Sequence, residues 1–173
     1  RDSILAVSGM LDQSMGGSLL PVENRKFLFD HTSKDLTEYD ATVRSVYLPV
    51  VRNHLYDFFQ LFDYNDASVS NGNRQSTTVA PQALYMMNSP LVDEASCQIV
   101  HQLLASTHSL KNQIQQLYLQ LLGRPATRVE LARARQYYAL FLKTADAESP
   151  VATESTPSPE FDALKLLVHS VLS

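Results

Sequence analysis

Residues 110–142 read LKNQIQQLYLQLLGRPATRVELARARQYYALFL, and this stretch decides the fold. Leu110, Ile114, Leu117, Tyr118, Leu121 and Leu122 recur at spacings of three and four, which puts one apolar stripe along a helix. Ser109 stands at the N-cap position of that helix. Gly123 and Pro125 stop it, the first by tolerating a left-handed turn and the second by lacking an N–H. Thr127-Arg128-Val129-Glu130 then has the capping-box pattern that starts a second helix. Its inward residues are Leu131, Ala134, Tyr138, Phe141 and Leu142. The turn GRPAT between the two is short, so the helices are antiparallel neighbours.

The same reading extends in both directions. Towards the C-terminus, residues 145–159 (ADAESPVATESTPSP) have no aromatic and are rich in Ser, Thr, Pro and Glu. Such a segment buries too little surface to offset chain entropy, so a mobile linker is expected. Residues 160–173 form a last helix, with Phe161, Leu164, Val168, Val171 and Leu172 in period, docking back on a helical domain of residues 1–144. Towards the N-terminus, Ser89-Pro90 opens a helix whose stripe is Val92, Ala95, Ile99 and Leu103. Pro81 starts a short helix over 81–87 that buries Leu84, Met86 and Met87, with Val79 stapled onto Leu84. Asn53 caps a helix carrying Leu55, Phe58, Phe59 and Phe62 on one face. Residues 43–51 are β-branched and aromatic, and Pro49 limits them to an extended segment or edge strand. Ile4, Val7 and Leu11 predict a helix over 1–13 that Gly16-Gly17 stops. The expected fold is mostly α: a single irregular bundle of about six helices with one short extended segment near residues 43–51.

Composition narrows the function classes. The chain has 173 residues, 45% of them hydrophobic, enough for a sizeable core. Its formal charge of −4 and lack of a basic stripe argue against nucleic acid as a partner. No apolar run has the length of a membrane span. Arg1 lies in a helical pattern already under way, so the chain is expected to be part of a longer protein. A lone Cys97 excludes an internal disulfide, a CxxC pair and a multi-cysteine zinc site, and its helical context predicts a small buried side chain.

The residues with the most chemistry flank the Phe-rich and Met-rich helices along about forty residues: Arg52, Asn53, Asp63, Asp66, Arg74, Thr77, Thr78, Gln82 and Asn88. One reading makes them a polar pocket, with Arg52 and Arg74 gripping an anion bidentately. The other, and the stronger, makes them a tied-down corner whose side chains satisfy backbone groups of the loop. Asp57 and Asp63 form no recognisable acid–base pair. His101 and His108 are too sparse for a metal site, and His31, His54 and His169 add no pattern. No catalytic residue and no metal ligand is assigned.

The strings RDSILAVSGMLD, MGGS, RSVYLPVVRN, FDYNDASVSNGNRQSTTVAPQALYMMNSPLV and LYLQLLGRPAT together resemble a planctomycete-type domain of unknown function. That domain lies at the C-terminal end of large exported proteins, often downstream of a cytochrome-c-like domain. The resemblance is sharpest from Arg44 to Val92, through Arg44, Tyr47, Pro49, Arg52, Asn53, Phe62, Asp63, Gly72, Arg74, Thr77, Thr78, Pro81, Gln82, Ala83, Leu84 and Asn88. It implies an exported setting, periplasmic or at the cell surface, and upstream domains of the same chain as partners. It also implies an association with complex polysaccharide. It brings no catalytic residue and no cofactor, since the haem motif of the upstream domain is absent here. The expectation is a structural or interaction module, with a polysaccharide-binding or processing accessory domain around Arg52, Arg74 and Asn88 as the alternative.

Overall fold

The computed structural model describes residues 1–20, 39–50, 55–65, 70, 72–73, 76–148 and 158–172. Among them are seven α-helices and no strand: α1 (Asp2–Val7), α2 (Asp57–Leu61), α3 (Ala80–Asn88), α4 (Pro90–Ser106), α5 (Leu110–Leu122), α6 (Arg128–Glu148) and α7 (Pro159–Leu172). In the expected extended segment, a 3-10 turn occupies Ser45–Tyr47, and Val43 is joined to Asp12 by a parallel bridge.

The antiparallel pair forms as its local signals dictate. Gly123 takes a left-handed φ of 67°, and its N–H closes α5 on the Leu119 carbonyl at 3.1 Å. In the turn, Gln115 donates to the Ala126 carbonyl (3.1 Å) and accepts its N–H (3.0 Å). The capping box forms: Glu130 Oε2 accepts the Thr127 N–H at 2.8 Å, and Thr127 Oγ1 accepts the Glu130 N–H at 3.3 Å. Arg124 grips both Glu130 oxygens, at 2.7 and 2.9 Å. Ser109 holds the N-cap position of α5 without a side-chain bond. Leu122, the last residue of α5, departs from the predicted stripe and is exposed.

The main core lies where α4, α5, α6 and α7 meet. Ile99, Val100, Leu103, Ile114, Leu117 and Val168 are fully buried there. Each such aliphatic side chain contributes about 1.5–3 kcal/mol by leaving water. Helix α7 lies against both α4 and α6, and its Lys165 pairs with Asp93 of α4 at 2.7 Å. Helix α6 continues through Glu148, past the predicted boundary at residue 144. Of the rest of the expected linker, 149–157 lie outside the described residues, and Pro159 already belongs to α7. Cys97 is half-buried rather than enclosed.

Helix α1 corrects the sequence reading. It ends at Val7, not near residue 13, because Gly9 adopts φ +74° and the N–H groups of Met10 and Leu11 both turn back to the Leu5 carbonyl. Its last carbonyls are capped from outside: Gln102 of α4 donates to Ser8 at 2.8 Å, and Gln120 of α5 to Val7 at 2.6 Å. Gly16 and Gly17 lie beyond the helix. Helix α2 likewise starts later than expected: Tyr56 is its N-cap, and Asn53, the predicted cap, is outside the described residues. Its Phe58 and Phe59 are buried with Leu48 in an aromatic annex that also takes Tyr39, Tyr56, Phe62 and Tyr85.

Candidate functional site

The corner between α2 and α3 is built by three side chains. Asp63, just past α2, holds a left-handed φ of 57°, which Asp tolerates better than most residues. Its carboxylate accepts the Thr77 N–H at 2.7 Å and the Thr77 hydroxyl at 2.8 Å, drawing the loop's two ends together. Gln82 acts on both helices: Nε2 donates to the Leu61 carbonyl at the end of α2 (2.8 Å), and Oε1 accepts the Val79 N–H before α3 (3.2 Å). Asn88 donates to the Leu84 carbonyl one turn back at 2.8 Å. Thr78 is exposed. Arg52, Asn53, Asp66 and Arg74 lie outside the described residues, as do His31 and His54. The structure thus joins Asp63 to Thr77 and Gln82 to both helix ends, and keeps Asn88 on its own helix.

Helix α3 corrects a second expectation. It buries none of its residues. Leu84 is 59% and Met87 61% exposed, while Val79 is 45% exposed. Met86 alone of the predicted trio reaches a core, against Ile4, Val92 and Ala95. His169 of α7 holds this side of the helix, its Nε2 lying 3.2 Å from the Met86 carbonyl. Asp57 is exposed at the start of α2, and His101 and His108 are also exposed, the first beside the Phe161 ring at 5.0 Å. Among the described residues, no three His, Cys, Asp or Glu side chains group so as to hold a metal ion.

A second cluster escaped the sequence reading. The Arg1 guanidinium is almost fully buried and donates to the Val43 carbonyl (2.8 Å) and the Ala41 carbonyl. It lies 3.6 Å from Asp2, which in turn accepts from the Ser45 N–H at 2.8 Å and the Ser45 hydroxyl at 2.5 Å. Burial would raise the Asp2 carboxyl, but the two Ser45 bonds and Arg1 outweigh it and hold it below the usual carboxylate range. Two cavities adjoin this cluster. One, about 460 Å³, runs over Phe58, Phe59, Phe62 and Tyr64. The other, about 590 Å³, is walled by Tyr39, Tyr56 and Tyr85 and reaches the start of α4. Burial and a hydrogen bond with Tyr85 push the Tyr56 phenol up to about 12. Aligning residues 1–2 with 39–45, 56 and 85 is a long-range matter with no periodic signal. The only local hint was an Arg-Asp pair opening an amphipathic helix.

Fold and corner together define an all-α helical-bundle domain. Residues 1–138 match the family model PSD1, a protein of unknown function (DUF1553), and the chain belongs to that family. The match ends inside α6, although α7, further on, buries Ala163, Leu164, Leu167 and Val168 in the same bundle. No curated protein and no solved structure matches the chain.

Proposed function

We propose that this domain is a non-catalytic interaction module that packs against other domains of its own parent protein, an exported one. The observation that carries the reading is α3, a helix with no buried residue whose Leu84 and Met87 face outward at 59% and 61% exposure. Such side chains on a helix fixed in place are suited to a partner surface. The hydrogen bonds of Asp63, Thr77 and Gln82 hold the start of that helix against α2. In this reading they are structural, setting the angle at which α3 is presented. The Asn88 amide is engaged by the Leu84 carbonyl, which leaves the alternative polysaccharide role to Arg52 and Arg74.

The test is amide hydrogen exchange across α3, measured in the full-length gene product and in the 173-residue chain. Slower exchange at Leu84–Asn88 in the full-length product is expected, with Leu84→Glu and Met87→Glu together removing the difference. Equal rates in the two proteins would refute the reading.

A further inference from the structure

Helix α3 has two distinct faces. Gln82, Tyr85 and Met86 are half-buried against the rest of the domain, while Ala80, Ala83, Leu84 and Met87 are exposed. The four exposed residues stand at i, i+3, i+4 and i+7, so they fall in one stripe of the helix surface. Their sizes are ordered along the axis, with two alanines in the N-terminal half and leucine and methionine in the C-terminal half. The stripe is therefore a step, low over Ala80 and Ala83 and high over Leu84 and Met87. It is also uncharged. No Asp, Glu, Lys, Arg or His occurs from Gln75 to Val92, although 18% of the chain is charged.

We propose that the partner of α3 is a single helix of the parent protein, seated across Ala80 and Ala83 against the step of Leu84 and Met87, and uncharged on the face it presents. This rests on the reading of α3 as a docking face and names what docks there. The stripe carries no hydrogen-bonding side chain, so an element covering it has to satisfy its backbone within itself, as a helix does and a loop does not. The face of a sheet is broad, and resting on Leu84 and Met87 it would leave a void over the alanines. A helix is a rod about 10 Å across and fits beside the step. Two alanines let the helix axes approach to about 8 Å, the close end of helix packing. A charged side chain set against the stripe would lose water without gaining a partner, so the facing residues are uncharged.

Amide exchange at Leu84–Asn88 in the full-length product, already the readout for docking, also tests the fit. Ala83→Leu places a good helix former at an exposed position, so the 173-residue chain stays folded. Against a close-packed helix the larger side chain forces the two apart, and the protected amides should exchange roughly tenfold faster or more. Ala83→Ser, close in size to alanine, should keep most of the protection. A patch that is merely apolar responds in the opposite sense, gaining protection from the added leucine. A benzophenone amino acid in place of Met87, crosslinked by light in the full-length product and mapped by mass spectrometry, should mark one segment of the same chain at uncharged residues spaced by three or four. Unchanged or greater protection in Ala83→Leu would overturn the proposal while leaving docking through α3 standing. Crosslinks to a second copy, to a charged segment or to alternate residues along a strand would overturn it as well. Exchange in the unsubstituted full-length product as fast as in the 173-residue chain would remove both readings.

Discussion

Replacing Gly9 by Ala tests how α1, and with it the Arg1–Asp2 cluster, is held on the bundle. Gly9 has φ +74°, a left-handed conformation that costs an L-residue about 1–2 kcal/mol. An added Cβ would also lie 2.9 Å from Nε2 of Gln102, closer than such contacts allow. That nitrogen is the end of a flexible side chain, so the glutamine would move rather than the backbone. In moving it would release the Ser8 carbonyl, now 2.8 Å away, and disturb the bond from Gln120 at 2.9 Å. The net loss for one such hydrogen bond is about 1 kcal/mol. Gly9→Ala should therefore cost roughly 2–3 kcal/mol, a large part of an ordinary domain's stability. In a Gln102→Ala background there is no amide to displace, and the same change should cost only the left-handed term, about 1–2 kcal/mol. Urea unfolding followed by far-ultraviolet circular dichroism, run on the wild type, both single variants and the double variant, yields a coupling of about 1 kcal/mol between the sites. A Gly9→Ala cost below about 0.5 kcal/mol, or the same cost in both backgrounds, would refute the reasoning.

The α2–α3 corner and the capping box give two further outcomes. Asp63→Ala removes both acceptors of Thr77 and leaves alanine at φ 57°, so a loss of about 2 kcal/mol is expected, with faster exchange of the Thr77 amide. Asp63→Asn should lose less than half of that, since asparagine keeps an acceptor and tolerates the backbone. Glu130 has its carboxyl lowered to about 2 by the Arg124 guanidinium first and the Thr127 bonds second. Its pKa is depressed on folding, so its contribution is fully present above the unfolded value near 4.5 and is lost as pH falls towards 2. Denaturation midpoints from pH 6 to pH 2 should then fall less steeply in Glu130→Gln than in wild type, and parallel curves would contradict the assignment.

Where a structural decision depends on residues within one turn of each other, it was legible. Thr127 and Glu130 bond each other across three residues, and Gly123 closes α5 at the place its lack of a Cβ suggests. Val92, Ala95, Ile99 and Leu103, read as one stripe, are all fully buried, because a helix seventeen residues long gives its period enough repeats to be unambiguous. Short helices offered no such redundancy. Helix α1 was overextended because Leu11 continued the period by accident, while the actual stop is fixed by glutamines about a hundred residues away in the chain. The polar corner lay between: the residue types at Asp63, Thr77 and Gln82 pointed to backbone-satisfying roles, but which partner each took was set by how α2 and α3 meet.

The misreading of α3 has the most consequence for function. Leu84 and Met87 were assigned inward on the premise that apolar side chains seek the core, yet the surfaces of folded proteins always include apolar side chains. A helix of nine residues held by Gln82 at its start and by His169 near its end is fixed without burying a stripe of its own. Its position rests on those hydrogen bonds and on the packing of Tyr85 and Met86, and Leu84 and Met87 face outward. Period alone gives the face on which such residues fall. The choice between core and partner comes from which neighbouring helices take up that face, and here α4 and α7 take only the side bearing Met86.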